Sequence, residues 1–189
     1  MRQAARFALV LAALLVTPAT ALAGGTQRET VEPFAGAGLA SGWSLSSVAR
    51  GHCWTTSIAV ARPDAFRCFQ GNLILDPCFA SPVQHGWVAC VLRPWTHRAV
   101  RLDLTGALPA AQPRSHAAQA PWAVQVAGGA TCTAATGALG VIHGRVPRYD
   151  CSNGASLGAK VYQVAPRWWA WYLPRGGSWE RRSVTRAWF

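Results

Sequence analysis

The chain is 189 residues long and carries 18 basic against 7 acidic side chains, a formal net charge of +11. That length suits one domain with a real hydrophobic core, and no segment after residue 23 is apolar for long enough to cross a bilayer. The charge favours anionic partners: acidic envelope polymers, phospholipid surfaces or nucleic acid. All the basic residues but Lys160 are arginine, and they are dispersed rather than clustered. Dispersion favours a solvated basic surface, so nucleic acid is not the expected partner.

Residues Met1 to Ala23 read as a secretory signal peptide. Arg2 and Arg6 form the positive end, Phe7 to Val16 is an unbroken apolar run, and Ala21-Leu22-Ala23 is a small-x-small cleavage site ahead of Gly24. The run is shorter than the roughly 20 residues a bilayer needs, and Pro18 closes it. The expectation is an exported protein, secreted or extracellular, cleaved after Ala23. No cysteine follows the cleavage site to take a lipid anchor. All six cysteines, Cys53, Cys68, Cys78, Cys90, Cys132 and Cys151, lie beyond it. An even count in an exported chain predicts three disulfides. There is no C-x-x-C and the histidines are scattered, so no metal or other cofactor is expected.

From Gly24 to about residue 40 the chain is small and polar without periodicity, and reads as a flexible lead-in. A single β-domain is expected over 41–189. Trp43 to Ala61 is rich in Val, Ile, Thr and Trp and predicts a first strand. Arg62-Pro63-Asp64-Ala65 predicts a type I turn, because proline presets φ at its second position. Phe66 to Gln70 is the second strand. Gly71-Asn72 is a hairpin signal of type II′, Gly71 supplying the positive φ. Leu73 to Leu75 is the third strand, ended by Asp76-Pro77; Trp87 to Leu92 is the fourth and Val100 to Leu104 the fifth.

Residues 106–121, rich in alanine and proline, predict a long surface loop between two halves. Trp122 to Ala127 alternates again, Gly128-Gly129 signals a second hairpin, and Ala130 to Thr133 returns. Gly137 to Gly144 is apolar and glycine-spaced. Arg148 to Cys151, Lys160 to Val164, Trp168 to Leu173 and Ser183 to Trp188 are the last strands expected. Many short strands with frequent Gly and Pro turns predict an all-β fold, a compact disulfide-stapled sandwich or irregular barrel of antiparallel strands.

Cys68-x-x-Gly71 is echoed by Cys151-x-x-Gly154, each with an earlier cysteine, Cys53 and Cys132. The echo suggests two related disulfide hairpins, one per half. Pairing in chain order gives Cys53–Cys68, Cys78–Cys90 and Cys132–Cys151, among the many pairings six cysteines permit. A simple hairpin about Pro63 opposes this. It sets Cys68 beside Ala59 and leaves Cys53 about 20 Å further on, at about 3.4 Å per residue. The bond between Cys53 and Cys68 therefore requires a bulge or bend in the first strand.

Catalytic signatures are weak. Gly154-Ala155-Ser156-Leu157-Gly158 matches G-x-S-x-G, but a strand-like segment follows where the nucleophile elbow needs a helix, and no histidine lies downstream. Tyr149-Asp150-Cys151-Ser152 resembles the Asp-Cys-Ser start of NlpC-type peptidoglycan hydrolases, whose catalytic histidine follows the cysteine; here the last histidine, His143, precedes it. Ile142-His143-Gly144 ahead of Cys151 resembles the L,D-transpeptidases, without their Ser-x-Gly-Cys pattern. Either chemistry needs a free thiolate at Cys151. Asp64 has a turn role and Asp76 precedes a proline, so both carboxylates read as structural.

The unusual feature is the C-terminal stretch, where Trp168, Trp169, Trp171, Tyr172, Trp179 and Trp188 are interleaved with Arg167, Arg175, Arg181, Arg182 and Arg186. On a strand, Trp169, Trp171 and Leu173 face one way and Trp168, Ala170 and Tyr172 the other. One face should be core; the other would offer rings to sugars or bases with cations beside them. Trp168, Trp169, Trp171, Tyr172, Arg175, Trp179, Arg181 and Arg182 are accordingly the candidate ligand-binding residues, with a cell-envelope glycan or anionic polymer as expected partner. The expected function is a secreted, non-catalytic binding module. A cell-envelope hydrolase or transferase with an unassigned site, and a secreted enzyme inhibitor, are the alternatives.

The words C-W-T-x-S-I-A, R-P-D-A-F-R-C, G-N-x-I-x-D-P-C-F and V-A-C between Cys53 and Cys90, continued by PWAVQVAGGATC and YDCSNG, resemble a family of uncharacterised secreted proteins of high-GC Gram-positive bacteria. The resemblance covers most of the chain after the leader. It implies export and a shared disulfide framework, and transfers no mechanism.

Overall fold

The computed structural model describes residues 24–110 and 120–189; the leader and the middle of the alanine- and proline-rich loop lie outside the described residues. The strands in chain order are β1 (Gln27–Glu29), β2 (Phe34–Ala35), β3 (Gly38–Leu39), β4 (Ser44–Thr56), β5 (Ala65–Gln70), β6 (Leu73–Ala80), β7 (Trp87–Arg93), β8 (Arg98–Leu104), β9 (Ala123–Val126), β10 (Thr131–Ala134), β11 (Pro147–Cys151), β12 (Ser156–Tyr162), β13 (Trp168–Leu173) and β14 (Glu180–Trp188). The only helical element among the described residues is one 3-10 turn, Pro94–Thr96. The protein is all-β.

The strands close into two small barrels, β4 to β8 and β9 to β14, each an up-and-down meander. The number of strands decides how each barrel shuts. Five alternating strands leave the first and last pointing the same way, so β4 and β8 pair in parallel. Six leave them opposed, so β9 and β14 pair antiparallel. The expectation of purely antiparallel pairing therefore fails at this seam, by topology, and again where β1 pairs in parallel with β14. β4 is long because it serves both neighbours: Ser44 to Gly51 pair with β8, and His52 to Thr56 with β5. At the switch, Gly51 lies so close to β5 that a Cβ there would sit 1.9 Å from the Phe69 carbonyl oxygen.

The disulfides are Cys53–Cys68, Cys78–Cys90 and Cys132–Cys151, and no described cysteine is free. Each joins residues directly opposite on antiparallel neighbours. The conflict over Cys53 disappears because β4 ends at Thr56, before Ala61, and carries a bulge between Cys53 and Thr55. The Pro63 turn forms inside the wider connection that follows, with Ala65 N–H donating to the Arg62 carbonyl at 3.2 Å. The sulfurs of Cys68, Cys78 and Cys90 lie within 4.8 Å of one another. All three are bridged, so this is disulfide packed on disulfide inside the first barrel. Gly71 and Gly154, three residues after Cys68 and Cys151, both turn with positive φ, at 57° and 77°. The echo in the sequence is thus a repeated structural unit, one in each barrel.

The third strand runs on through Asp76 and Pro77 to Ala80. Its register with β5 shifts between Phe66 and Cys68, opposite that dipeptide. A bulge asks no ladder hydrogen bond of its extra residue, which is where proline is tolerated inside a sheet.

Three buried clusters result. Phe66, Leu75, Val88, Leu102 and four cysteines fill the first barrel. Val124, Leu157, Trp168, Ala170 and Tyr172 belong to the core of the second. The third cluster joins the barrels: Trp87, Ala89 and Val91 from the outer face of β7 pack with Trp122, Ala123 and Trp188. β7 is therefore buried on both faces, Val88 and Cys90 inward, Trp87, Ala89 and Val91 toward the partner barrel. Arg67 adds a polar tie, its guanidinium donating to the Thr136 carbonyl at 2.7 Å.

Residues 24–40 are built into this joint, where a flexible lead-in was expected. β1 pairs in parallel with residues 186–188 of β14, the edge that β13 vacates after Val184. Val31 is buried in the joint, and Phe34 lies 4.8 Å from Trp87, ring centre to ring centre. The segment escapes periodicity because it binds mainly through its backbone, as in the bonds Val31 N–H to Phe189 O and Phe189 N–H to Glu29 O, both 3.0 Å.

Gly51→Ala should destabilise the protein by about 3 kcal/mol or more, since backbone rather than a yielding side chain blocks the added methyl. Urea unfolding checks this. The fully oxidised protein should release no thiol titre under denaturing conditions. Replacing Cys132 and Cys151 together by alanine should cost about 3 kcal/mol.

Candidate functional site

β13 separates the C-terminal aromatics as the alternation predicts. Trp168, Ala170 and Tyr172 point inward, and Trp168 and Tyr172 are only 7% and 3% exposed. They are core, so both leave the set of ligand-binding candidates. Arg182 leaves with them. It lies opposite Ala170 on the inward-facing row, its guanidinium 4.2 Å from the Tyr172 ring centre, paired with Glu180 and donating to the Ala127 carbonyl.

Trp169 and Trp171 are half-buried on the outer face. Tyr162, directly opposite on β12, stacks on Trp169 with ring centres 3.8 Å apart and planes within 2°. From the other side, β14 sends Arg181 over the same indole, 4.0 Å from the ring centre. Both faces of Trp169 are thus covered, one by a ring and one by a cation. Trp171 meets Trp169 edge-on at 5.8 Å and carries Arg145 at 3.9 Å from its ring centre. It lies over Gly158, where a Cβ would come within 3.3 Å of its own Cβ. Trp179 donates its indole N–H to the Ile142 carbonyl at 2.8 Å, holding the 137–146 loop beside this face. Lys160 sits 5.0 Å from the Tyr162 ring centre.

The face therefore brings together Trp169, Trp171, Trp179 and Arg181 from the candidates. Arg175 is exposed in the turn that leads from β13 toward β14. The sequence reading missed Tyr162, Lys160 and Arg145. Tyr162 lay in an expected strand, but its facing depended on the β12–β13 register, which is shifted by a bulge. Arg145 comes from an irregular loop and carries no local signal. Arg145, Lys160, Arg175 and Arg181 have no ion pair among the described residues, so the face is strongly cationic.

The catalytic signatures meet other fates. Cys151 is bridged and has no thiolate to offer, which removes both cysteine-nucleophile readings. Ser156 opens β12 with no helix behind it, so the nucleophile elbow is absent. Asp64 holds Arg62 at 2.6 Å. Asp76 is buried and ties down the chain after β4, accepting from the Ser57 hydroxyl and, at 3.1 Å, from the Ile58 N–H. Arg67 Nε, 3.9 Å away, attracts it by charge but is too far for a hydrogen bond. Burial pushes the Asp76 carboxyl above the usual aspartate range, against the opposing pull of Ser57, the Ile58 N–H and Arg67.

Comparison with protein families, with curated proteins and with solved structures finds no match to this chain. No helix among the described residues is long and apolar enough to cross a membrane.

The Asp76 environment has a measurable sign. An acid whose folded-state pKa lies above its unfolded one adds stability that is complete below about pH 4 and is lost as pH rises through the raised value. The stability of the native protein relative to Asp76→Asn should therefore fall as pH rises from about 3 to about 7. Denaturant midpoints of the two proteins across that range check this; a difference that grows with pH would refute it.

Proposed function

We propose that the protein is exported and acts as a non-catalytic binding module of the cell envelope or extracellular space, taking a glycan or anionic polymer on the outer face of the second barrel. One observation carries the reading: Tyr162, Trp169, Trp171 and Trp179 form a contiguous aromatic face studded with cations that have no ion pair among the described residues. Aromatic rings bind the apolar faces of sugars, and unpaired arginines bind carboxylates and phosphates through charge-assisted hydrogen bonds. Arg181 already covers one face of Trp169. An arriving polymer either pairs with it there or displaces it and stacks on the indole face it leaves. The leader-like segment 1–23 and the three disulfides support export. The resemblance to secreted proteins of high-GC Gram-positive bacteria points the same way.

The test is a pull-down on purified cell walls at several salt concentrations. Trp169→Ala with Trp171→Ala should leave the fold intact and weaken binding by about tenfold to several thousandfold, at about 1–3 kcal/mol per stacking ring. Trp168→Ala with Tyr172→Ala should unfold the protein, each being core at about 3–5 kcal/mol. Arg145→Gln with Arg181→Gln should flatten the salt dependence. If the folded Trp169, Trp171 variant holds walls as well as the native protein, the face is not the binding site.

A further inference from the structure

The outer face of the first barrel carries a second aromatic platform. Cys53 and Cys68 point into that barrel, so their neighbours Trp54 and Phe69 point out of it. The two rings stack with centres 4.0 Å apart and planes within 17°. His52, opposite Phe69 on β4, tilts against the same ring at 5.6 Å. Ile74, opposite Phe69 on β6, completes the row. All ten tryptophans lie among the described residues, and Trp54 alone is exposed, at 39%.

The cation beside this platform is already committed. The Arg67 guanidinium lies 5.1 Å from the Trp54 ring centre, but it donates to the Thr136 carbonyl at 2.7 Å and sits 3.9 Å from the buried Asp76. The exposed His52 imidazole adds a donor and an acceptor at the rim, suited to hydroxyls. A stacked ring pair with such a rim fits the apolar face of a sugar. The face on the second barrel, with Arg145, Lys160 and Arg181, fits anionic groups.

One loop joins the two faces. Thr136 holds Arg67 beside Trp54. Six residues later the Ile142 carbonyl holds Trp179, and Arg145, bridged to Ile142, lies on Trp171. Six residues span at most about 20 Å, so both faces are within reach of one polymer chain.

We propose that Trp54, Phe69 and His52 form a second subsite, and that the two barrels hold one acidic glycan at two points. A sugar ring lies on Trp54, and anionic groups meet the cations around Trp169 and Trp171. The inference rests on the reading of the second barrel as a polymer site, and narrows the polymer to one with sugar rings and anionic groups in the same chain. Two linked contacts make affinity depend on length, because the second forms at the effective concentration set by the first.

The probes are a galacturonate dimer and a galacturonate dodecamer, titrated calorimetrically into the whole protein. The dodecamer should bind about a hundredfold or more tighter than the dimer. Trp54→Ala should weaken the dodecamer about tenfold or more and leave the dimer's binding at the second barrel in place. Trp54→Phe, which keeps a ring on Phe69, should restore most of the loss. Trp54 is exposed, so its removal leaves the core intact. Trp169→Ala with Trp171→Ala should also weaken the dodecamer, and the three substitutions together should abolish binding of both probes. If Trp54→Ala holds the dodecamer like the native protein while the Trp169, Trp171 variant loses it, the second subsite is overturned and the reading of the second barrel stands. The reverse pattern overturns that reading, and two-point capture falls with it. Equal affinity of the native protein for both probes, or no binding of either, overturns the proposal. So does sedimentation showing a self-associated native protein that Trp54→Ala renders monomeric, since Trp54 would then be a contact between copies.

Discussion

The indole of Trp188 holds the molecule together. It is almost wholly buried in the joint between the barrels, tilted against Trp95 at 5.6 Å, and its N–H donates to Glu29 at 2.7 Å. One side chain at the end of the last strand thus touches the second barrel, the first barrel and the N-terminal strap. A ring of this size contributes several kilocalories per mole when fully enclosed. Neither barrel alone can provide the enclosure, because the outer face of β7 and the pair Trp122 and Trp188 pack in one cluster with Val31, Val60, Phe79 and Trp95, drawn from both barrels and the N-terminal segment. Arg62 secures the same region with polar bonds, gathering the Val31 carbonyl, Glu32 and Asp64 around one guanidinium. The barrels are a single cooperative body even though each has its own closed sheet.

That arrangement also explains how so basic a chain keeps ordered aromatic surfaces. Cations lie on rings throughout the molecule: Arg101 on Trp87, Arg67 on Trp54, Arg28 on Phe189, Arg145 on Trp171 and Arg181 on Trp169. With few carboxylates to pair with, arginine uses the negative faces of indoles instead, and its planar head stays partly hydrated while it does so. Lysine, a compact and strongly hydrated point charge, suits that role less well, in keeping with its near absence here.

The local features of the fold were legible. The Pro63 turn, the Gly71 hairpin and the alternation of β13 are short-range signals, and each corresponds to backbone geometry in the structure. The pairing of cysteines in chain order followed from the same neighbourliness, since each bridge joins consecutive strands. What escaped was everything set by distant partners. The strap of residues 24–40 has no periodicity because its neighbour is the far end of the chain. Pro77 looked like a strand terminator because the bulge that accommodates it depends on the register with β5. The Tyr162, Trp169 and Arg181 stack needed three strands in register, and the sequence indicated the strands without their register. On β13 alternation separated two inward aromatics from two outward ones, without indicating that the Trp169 indole already had a neighbour on each face.

The parallel pairing of β1 with β14 joins residues some 159 positions apart, Gln27 accepting from Arg186 and Glu29 from Trp188. A chain emerging from its N-terminus must therefore leave its first ordered segment idle until its last strand has appeared. Contacts of such long sequence separation form late and slowly. Chain that is still being delivered holds an unfinished second barrel and a β1 without its partner strand. The β4–β8 barrel needs none of these residues to close, whereas β1 and the seam of the second barrel wait for β14.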